Sequence, residues 1–126
     1  AWRSLQEAGA RLAFGSDAPV EPPDPIRGFY AAVTRRDAGG APNGGWQPDE
    51  RLSRATALYA HTRGAAYAAF QEGEIGSISV GKRADFVVLS QDLMTVPSDR
   101  LLDTEVVATY LGGTPVHTTP DWPDAH

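Results

Sequence analysis

The chain has 126 residues, with 11 lysines and arginines against 16 aspartates and glutamates, a formal net charge of −5 and no cysteine. Scattered cations and an acidic balance argue against a phosphate-backbone partner, and the absence of thiols excludes disulfide scaffolds, thiolate zinc sites and cysteine nucleophiles. No apolar run approaches the roughly 20 residues of a membrane helix, and no basic-then-apolar leader opens the chain, so a soluble cytoplasmic protein is expected.

In chain order, Trp2, Leu5 and Ala8 recur at helical spacing and run into Gly9, a helix-ending residue type. Leu12-Ala13-Phe14 then reads as the interior of a buried strand over Arg11–Ser16, which delivers Asp17 at its tip. Four prolines between residues 18 and 25 stiffen the following loop. Ile26, Phe29, Tyr30 and Val33 fall on one face of a helix starting near Pro25. The stretch from Asp37 to Asp49 is glycine- and proline-rich around Trp46, and a loop of that length is commonly functional. Ser53 is placed to cap a helix carrying Ala55, Leu58 and Tyr59, and Thr62 a second through Ala65, Ala66 and Phe70.

From Gly73 the pattern changes to short segments punctuated by glycine: Ser77–Ser79, Ala84–Ser90, Glu105–Leu111 and Pro115–Thr118, with Gly112-Gly113 as a hairpin turn. The expectation is therefore α/β over residues 1–72, an all-β unit over 73–118 and a loose tail over 119–126.

Gly76-Ser77-Ile78-Ser79-Val80-Gly81-Lys82-Arg83 approaches a phosphate-binding loop, but Arg83 replaces the hydroxyl that would hold magnesium and a strand pattern follows where a helix is required. It is read as a glycine turn. His61, His117 and His126 show no pairing at the spacing that aims two imidazoles at one metal, so His61, between two predicted helices, is assigned a structural hydrogen bond. His117 and His126 are read as solvated, and no nucleophile elbow of the G-x-S-x-G type is present. Asp17 is the candidate site residue, because a carboxylate after an apolar strand is how parallel barrels present catalytic groups.

Several stretches together resemble the C-terminal part of a metal-dependent amidohydrolase of amidohydrolase family 3, the YtcJ-like branch. They are Ala13-Phe14-Gly15-Ser16-Asp17-Ala18-Pro19-Val20, Ala31-Ala32-Val33-Thr34-Arg35, and Arg51-Leu52-Ser53 through Ala57-Leu58 with Thr62 and Ala65-Ala66-Tyr67. Gly76-Ser77-Ile78, Gly81-Lys82-Arg83-Ala84-Asp85-Phe86-Val87-Val88-Leu89 and Thr109-Tyr110-Leu111-Gly112-Gly113-Thr114-Pro115-Val116 complete the likeness, which runs from residue 1 to about 117.

The resemblance implies the terminal β/α units of a TIM-type barrel followed by a small β-sandwich-like domain. It implies hydrolysis of non-peptide C–N bonds, amide or cyclic amide, through a metal-activated water, with zinc as the expected divalent metal. Asp17 would bind metal and carry the water's proton to the leaving nitrogen. Ser16, Pro19 and Val20 would shape the substrate wall, and Trp46 a lid or further wall.

The His-x-His pair of the first strand, the lysine or acidic ligand in the middle and the histidines of strands five and six of such enzymes have no counterpart here. The chain alone is thus expected to be an inactive fragment that binds no metal tightly. About 250 residues make a whole barrel, and strands that lack their neighbours should expose apolar surface that drives self-association. The expected partner of the whole enzyme is a small-molecule substrate, with neither nucleic acid nor membrane. Two alternatives are a stand-alone non-catalytic β-module and isomerase or other hydration chemistry on the same scaffold.

Overall fold

The computed structural model describes residues 1–123, which places His126 outside the described residues. Four short helices precede a three-stranded antiparallel sheet. The first, α1 (Trp2–Glu7), buries none of its residues and ends as the chain turns through Gly9 at φ +92°. It is tied down by the half-buried Trp2, which packs against the core, and by polar contacts: the Ser4 amide and hydroxyl both donate to the Glu50 carboxylate, the amide at 3.0 Å, and the Gln6 side-chain amide donates to Thr56 Oγ1 at 3.2 Å.

Residues 10–16 follow without any strand, which corrects the expected buried strand over Arg11–Ser16. The reason is the neighbour the segment meets. A strand requires a ladder with another extended chain, and here the Phe14 amide donates to the Ala60 carbonyl at 2.9 Å, a group on a helix. A Cβ on Gly64 would lie 2.1 Å from the Leu12 carbonyl oxygen, so glycine is what lets this segment lie against the helix.

Helix α2 (Pro25–Thr34) begins as expected. Asp24 caps it by accepting from the Ile26 amide at 2.9 Å, and Pro25 occupies the first turn, where its missing N–H costs nothing. Ile26, Phe29 and Tyr30 are buried, while Val33 is half-buried. Helix α3 (Arg54–Tyr59) is capped by Ser53, whose Oγ accepts from the Thr56 amide at 3.1 Å.

Thr62 does not cap a second helix. The chain runs on through one wide π turn, Ala60–Gly64, into α4 (Ala65–Ala68), and Thr62 Oγ1 donates back to the Leu58 carbonyl at 2.7 Å. A side-chain hydroxyl that finds an acceptor one turn back has no reason to interrupt the helix. The buried face of this run is its small one, Ala57, Ala60, Gly64 and Ala66, whereas Leu58 and Tyr59 are exposed.

The expected strand over Ser77–Ser79 is also absent. Gly76 and Gly81 take positive φ, +86° and +88°, and the Lys82 amide closes a turn on the Ser79 carbonyl. The three remaining expectations hold as β1 (Phe86–Leu89), β2 (Val106–Leu111) and β3 (Thr114–Thr118), ordered β1-β2-β3. Phe86 faces Tyr110 across the first pair, with rings stacked at 4.6 Å. Gly112 and Gly113 supply the two positive-φ positions that a tight hairpin turn needs, at +58° and +80°.

Pro115 sits in β3, an edge strand whose five residues are all exposed, where a missing N–H is tolerated. With one sheet among the described residues and no second sheet facing it, the expected sandwich is not formed. The Trp122 indole donates to the Tyr110 hydroxyl at 3.1 Å and holds the segment after β3 against β2.

The apolar core lies in the helical part, where Ile26, Phe29, Tyr30 and Ala32 of α2 meet Leu52, Ala57, Leu93 and Leu101. Leu101 belongs to the 3-10 turn Ser98–Asp103 and is completely buried, so a segment next to the sheet fills the space between helices. Among the described residues no helix is long and apolar enough to cross a membrane.

Candidate functional site

A cavity of about 510 Å³ opens between the segment Phe14–Ser16, the proline loop 21–25, the outer face of α2 and the residues just beyond its end. Its position follows from the amphipathic pattern of α2: the Ile26/Phe29/Tyr30 stripe is committed to the core, which leaves Arg27, Gly28 and Ala31 on the other side as cavity wall. Arg36 and Asp37 continue that wall because the chain leaves α2 through Arg35 at φ +59°, which turns it sharply.

Of the residues that the sequence singles out, Ser16 lines this cavity. Asp17 is the next residue, exposed, in the left-handed region at φ +53°, and its carbonyl accepts from the Val20 amide at 2.9 Å to close a turn. Pro19 and Val20 complete that turn and are exposed, and neither lines the cavity. Trp46 is elsewhere. Its ring covers the Arg35 guanidinium at 5.0 Å, its carbonyl accepts from Arg35 Nε at 3.0 Å, and Trp2 covers the same guanidinium at 4.4 Å. Arg35 is thereby clamped between two indoles.

His61 reaches the cavity from the π turn. A carbonyl oxygen can only accept, so the 2.9 Å contact between His61 Nδ1 and the Ala57 carbonyl puts a proton on Nδ1 and leaves Nε2 as the free ring nitrogen. The ring stands edge-on to Phe14 at 5.3 Å. Nε2 lies against Gly28, where an added Cβ would approach it to 3.0 Å. The structural hydrogen bond read from the sequence is present, and the imidazole's second role as cavity wall is what that reading missed. A π turn inside a helix is a common mark of functional sites, but no residue pattern announced this one.

Arg27 and Arg36 were likewise not singled out. The available signal was the polar face of α2 opposite its apolar stripe, for Arg27, and for Arg36 there was none.

The carboxylates around the cavity differ in what they are free to do. Asp24 is occupied in capping α2, and Asp37 Oδ1 accepts from the Gly39 and Ala41 amides at 2.8 and 3.0 Å. Among the described residues no three histidines, cysteines or acidic side chains converge closely enough to hold a metal ion. Asp17 offers one carboxylate where a metal site needs three or four protein donors, so the residues present do not fit a metal centre by themselves.

Asp17 thus stands on a turn one residue beyond the wall of a cavity that His61 also lines. Comparison with known proteins supplies the class. The model of the amidohydrolase family matches residues 1–117, and the chain belongs to that family. It is 41% identical over 112 residues to the protein LONG AFTER FAR-RED 3 of Arabidopsis thaliana, covering 89% of this chain and 19% of that protein. It is 35% identical over 111 residues to an N-substituted formamide deformylase of Arthrobacter pascens, covering 88% of this chain and 20% of that protein.

The crystal structure of an amidohydrolase from Thermotoga maritima superposes with a TM-score of 0.64 at 26% identity, covering 92% of this chain and 25% of that one. The chain therefore spans about a fifth of the length of the curated relatives it matches.

Proposed function

We propose that this chain is the C-terminal part of a metal-dependent amidohydrolase that cleaves non-peptide C–N bonds, amide or cyclic amide, in a small-molecule substrate. The observation that carries the reading is the family match through residue 117, joined to an exposed Asp17 one residue beyond a cavity-lining Ser16. Divalent metal, zinc above all, supplies such enzymes with a Lewis acid and an acidified water. The donors among the described residues do not complete a metal shell.

Within this reading the chain's own part is played by Asp17. A carboxylate Oδ held outward on a turn accepts a proton from the attacking water and returns it to the leaving nitrogen. His61 Nε2 and Ser16 line the space in which the substrate is held. The terminal barrel unit, the cytoplasmic setting and the inactivity of the chain alone belong to the same proposal. So does self-association through apolar surface, which the nearly full exposure of Phe70, Ile78 and Val80 supports.

The test is Asp17→Asn in the whole protein. Asparagine is among the few residues that tolerate a left-handed backbone, and the site is exposed, so the substitution removes the proton acceptor without disturbing the turn. Hydrolysis of an N-substituted formamide, the substrate class named for the Arthrobacter relative, should fall by about 10²–10⁴-fold with the melting temperature unchanged. Activity within threefold of the parent would refute the role. The isolated chain should hydrolyse nothing with zinc or manganese added.

A further inference from the structure

We propose that the small cleft walled by Arg11, Arg63 and Lys82 binds a phosphate group, at a place separate from the Ser16 cavity. The two spaces share no wall residue, so the inference goes beyond the hydrolase reading and does not depend on it. The three cations stand far apart in sequence and the fold gathers them: Arg11 from the segment before Phe14, Arg63 from the π turn, and Lys82 from the end of the glycine turn. Glu72 is the one carboxylate in the wall, while Glu74 and the Arg83–Asp85 ion pair lie outside it. Three cations against one carboxylate leave the wall with two positive charges in excess. A phosphate group, at about −1.5 to −2 near neutral pH, matches that excess.

The cations also keep donors for a ligand. Arg11 and Arg63 are exposed, and among the described residues neither forms an ion pair or a side-chain hydrogen bond. Each is held over an aromatic ring instead, Arg11 at 4.1 Å from the centre of Tyr67 and Arg63 at 5.9 Å from that of Tyr59. A ring face steadies a guanidinium without supplying the oxygen acceptors that its N–H groups match. Tyr59, Arg63 and Tyr67 follow one another at intervals of four, on one side of the helical run. Lys82 Nζ donates to the Glu72 and Ile75 carbonyls, the second at 3.1 Å, and an ammonium has a third proton to give.

Two guanidinium forks and an ammonium suit the several oxygens of a tetrahedral phosphate better than the two of a carboxylate. The volume of about 130 Å³, the share of about four water molecules in the liquid, admits such a group and is too small for a whole drug-sized ligand. The glycine turn does not act here as a phosphate loop, since the Lys82 amide donates to the Ser79 carbonyl; its contribution is the lysine side chain.

The experiment is calorimetric titration of the whole protein with inorganic phosphate, at an ionic strength held constant with chloride. It should show a saturable site that Arg63→Gln and Arg11→Gln each weaken by about tenfold. Arg3→Gln, whose partner Glu7 lies outside the cleft, should leave it unchanged. Glu72→Gln removes the like charge and keeps the carbonyl that Lys82 uses, so it should tighten binding by about threefold. A damaged fold does not gain affinity, and this variant therefore decides the matter even where an arginine variant is unstable. Methyl phosphate as a second titrant separates the sources: equal or weaker binding makes free phosphate the ligand, and tighter binding makes it a phosphate monoester. No saturable binding of either by about 10 mM, binding indifferent to both arginines, or weaker binding in Glu72→Gln would overturn the site.

Discussion

Replacing Gly64 by alanine tests how the segment before Asp17 is held. The new Cβ would sit 2.1 Å from the Leu12 carbonyl oxygen, against 3.4 Å or more for an ordinary contact, so the segment must retreat by about 1.3 Å. That retreat pulls the Phe14 amide off the Ala60 carbonyl, which it now meets at 2.9 Å. Overpacking of this kind costs roughly 1–3 kcal/mol and the lost hydrogen bond about 1 kcal/mol more. The helical preference of alanine over glycine returns about 1 kcal/mol.

The net expectation is a destabilisation of about 1–3 kcal/mol, or a fall in Tm of about 4–12 °C for a chain of this size. Urea and thermal unfolding followed by circular dichroism measure it. Gly73→Ala is the matched control, because a Cβ there meets open space, and it should stay within about 0.5 kcal/mol of the parent. Equal stability of the two variants would refute the account of how this segment is seated, and with it the placement of Ser16 and Asp17.

Two further outcomes follow from the core and from the α1 contacts. Leu101→Ala should destabilise by about 2–5 kcal/mol in the same assay, since Leu101 is completely buried among the α2 and α3 side chains; a loss below about 1 kcal/mol would contradict that placement. The Ser4 hydroxyl, then its backbone amide, holds the Glu50 carboxyl below the usual carboxylate range. A depressed folded pKa means a contribution that is fully present above the ordinary carboxylate pKa and lost as pH falls through the folded value. Helix α1, none of whose residues is fully buried, should therefore loosen in acid, seen as a shift of the Ser4 amide resonance below about pH 4 that Glu50→Gln abolishes. A resonance constant to pH 2 would contradict it.

Local chemistry was largely readable from the residues. The helix start at Pro25, the Ser53 cap, the Ile26/Phe29/Tyr30 stripe and the Gly112-Gly113 turn each act over a few residues, and each forms as its sequence predicts. The expected strand over Arg11–Ser16 failed for a different reason. Apolar content marks a segment as buried, but a strand also needs an extended partner at hydrogen-bonding distance, and this segment's backbone bond goes to a helix. Thr62 failed as a cap because an acceptor one turn back, the Leu58 carbonyl, was available to it.

The candidate site divides along the same line. Asp17 was singled out because a carboxylate after an apolar run and a glycine-serine pair is a local pattern, and the structure puts it on an exposed turn one residue beyond the cavity wall. The cavity beside it was not legible. Its wall brings together residues from 14 to 61, and what makes Arg36 notable is an unmatched buried nitrogen, a property of packing and of no motif. Trp46 shows the reverse: its loop stands out in composition, while its neighbours Arg35 and Trp2 exist only in the folded chain.

The opening composition, acidic and without cysteine, excluded several chemistries, and local spacing set the helix starts, the hairpin and the position of Asp17. Tertiary structure alone decided which polar groups remain unpartnered around the cavity, because a hydrogen bond between distant residues depends on where the chain brings them and not on how far apart they stand in sequence.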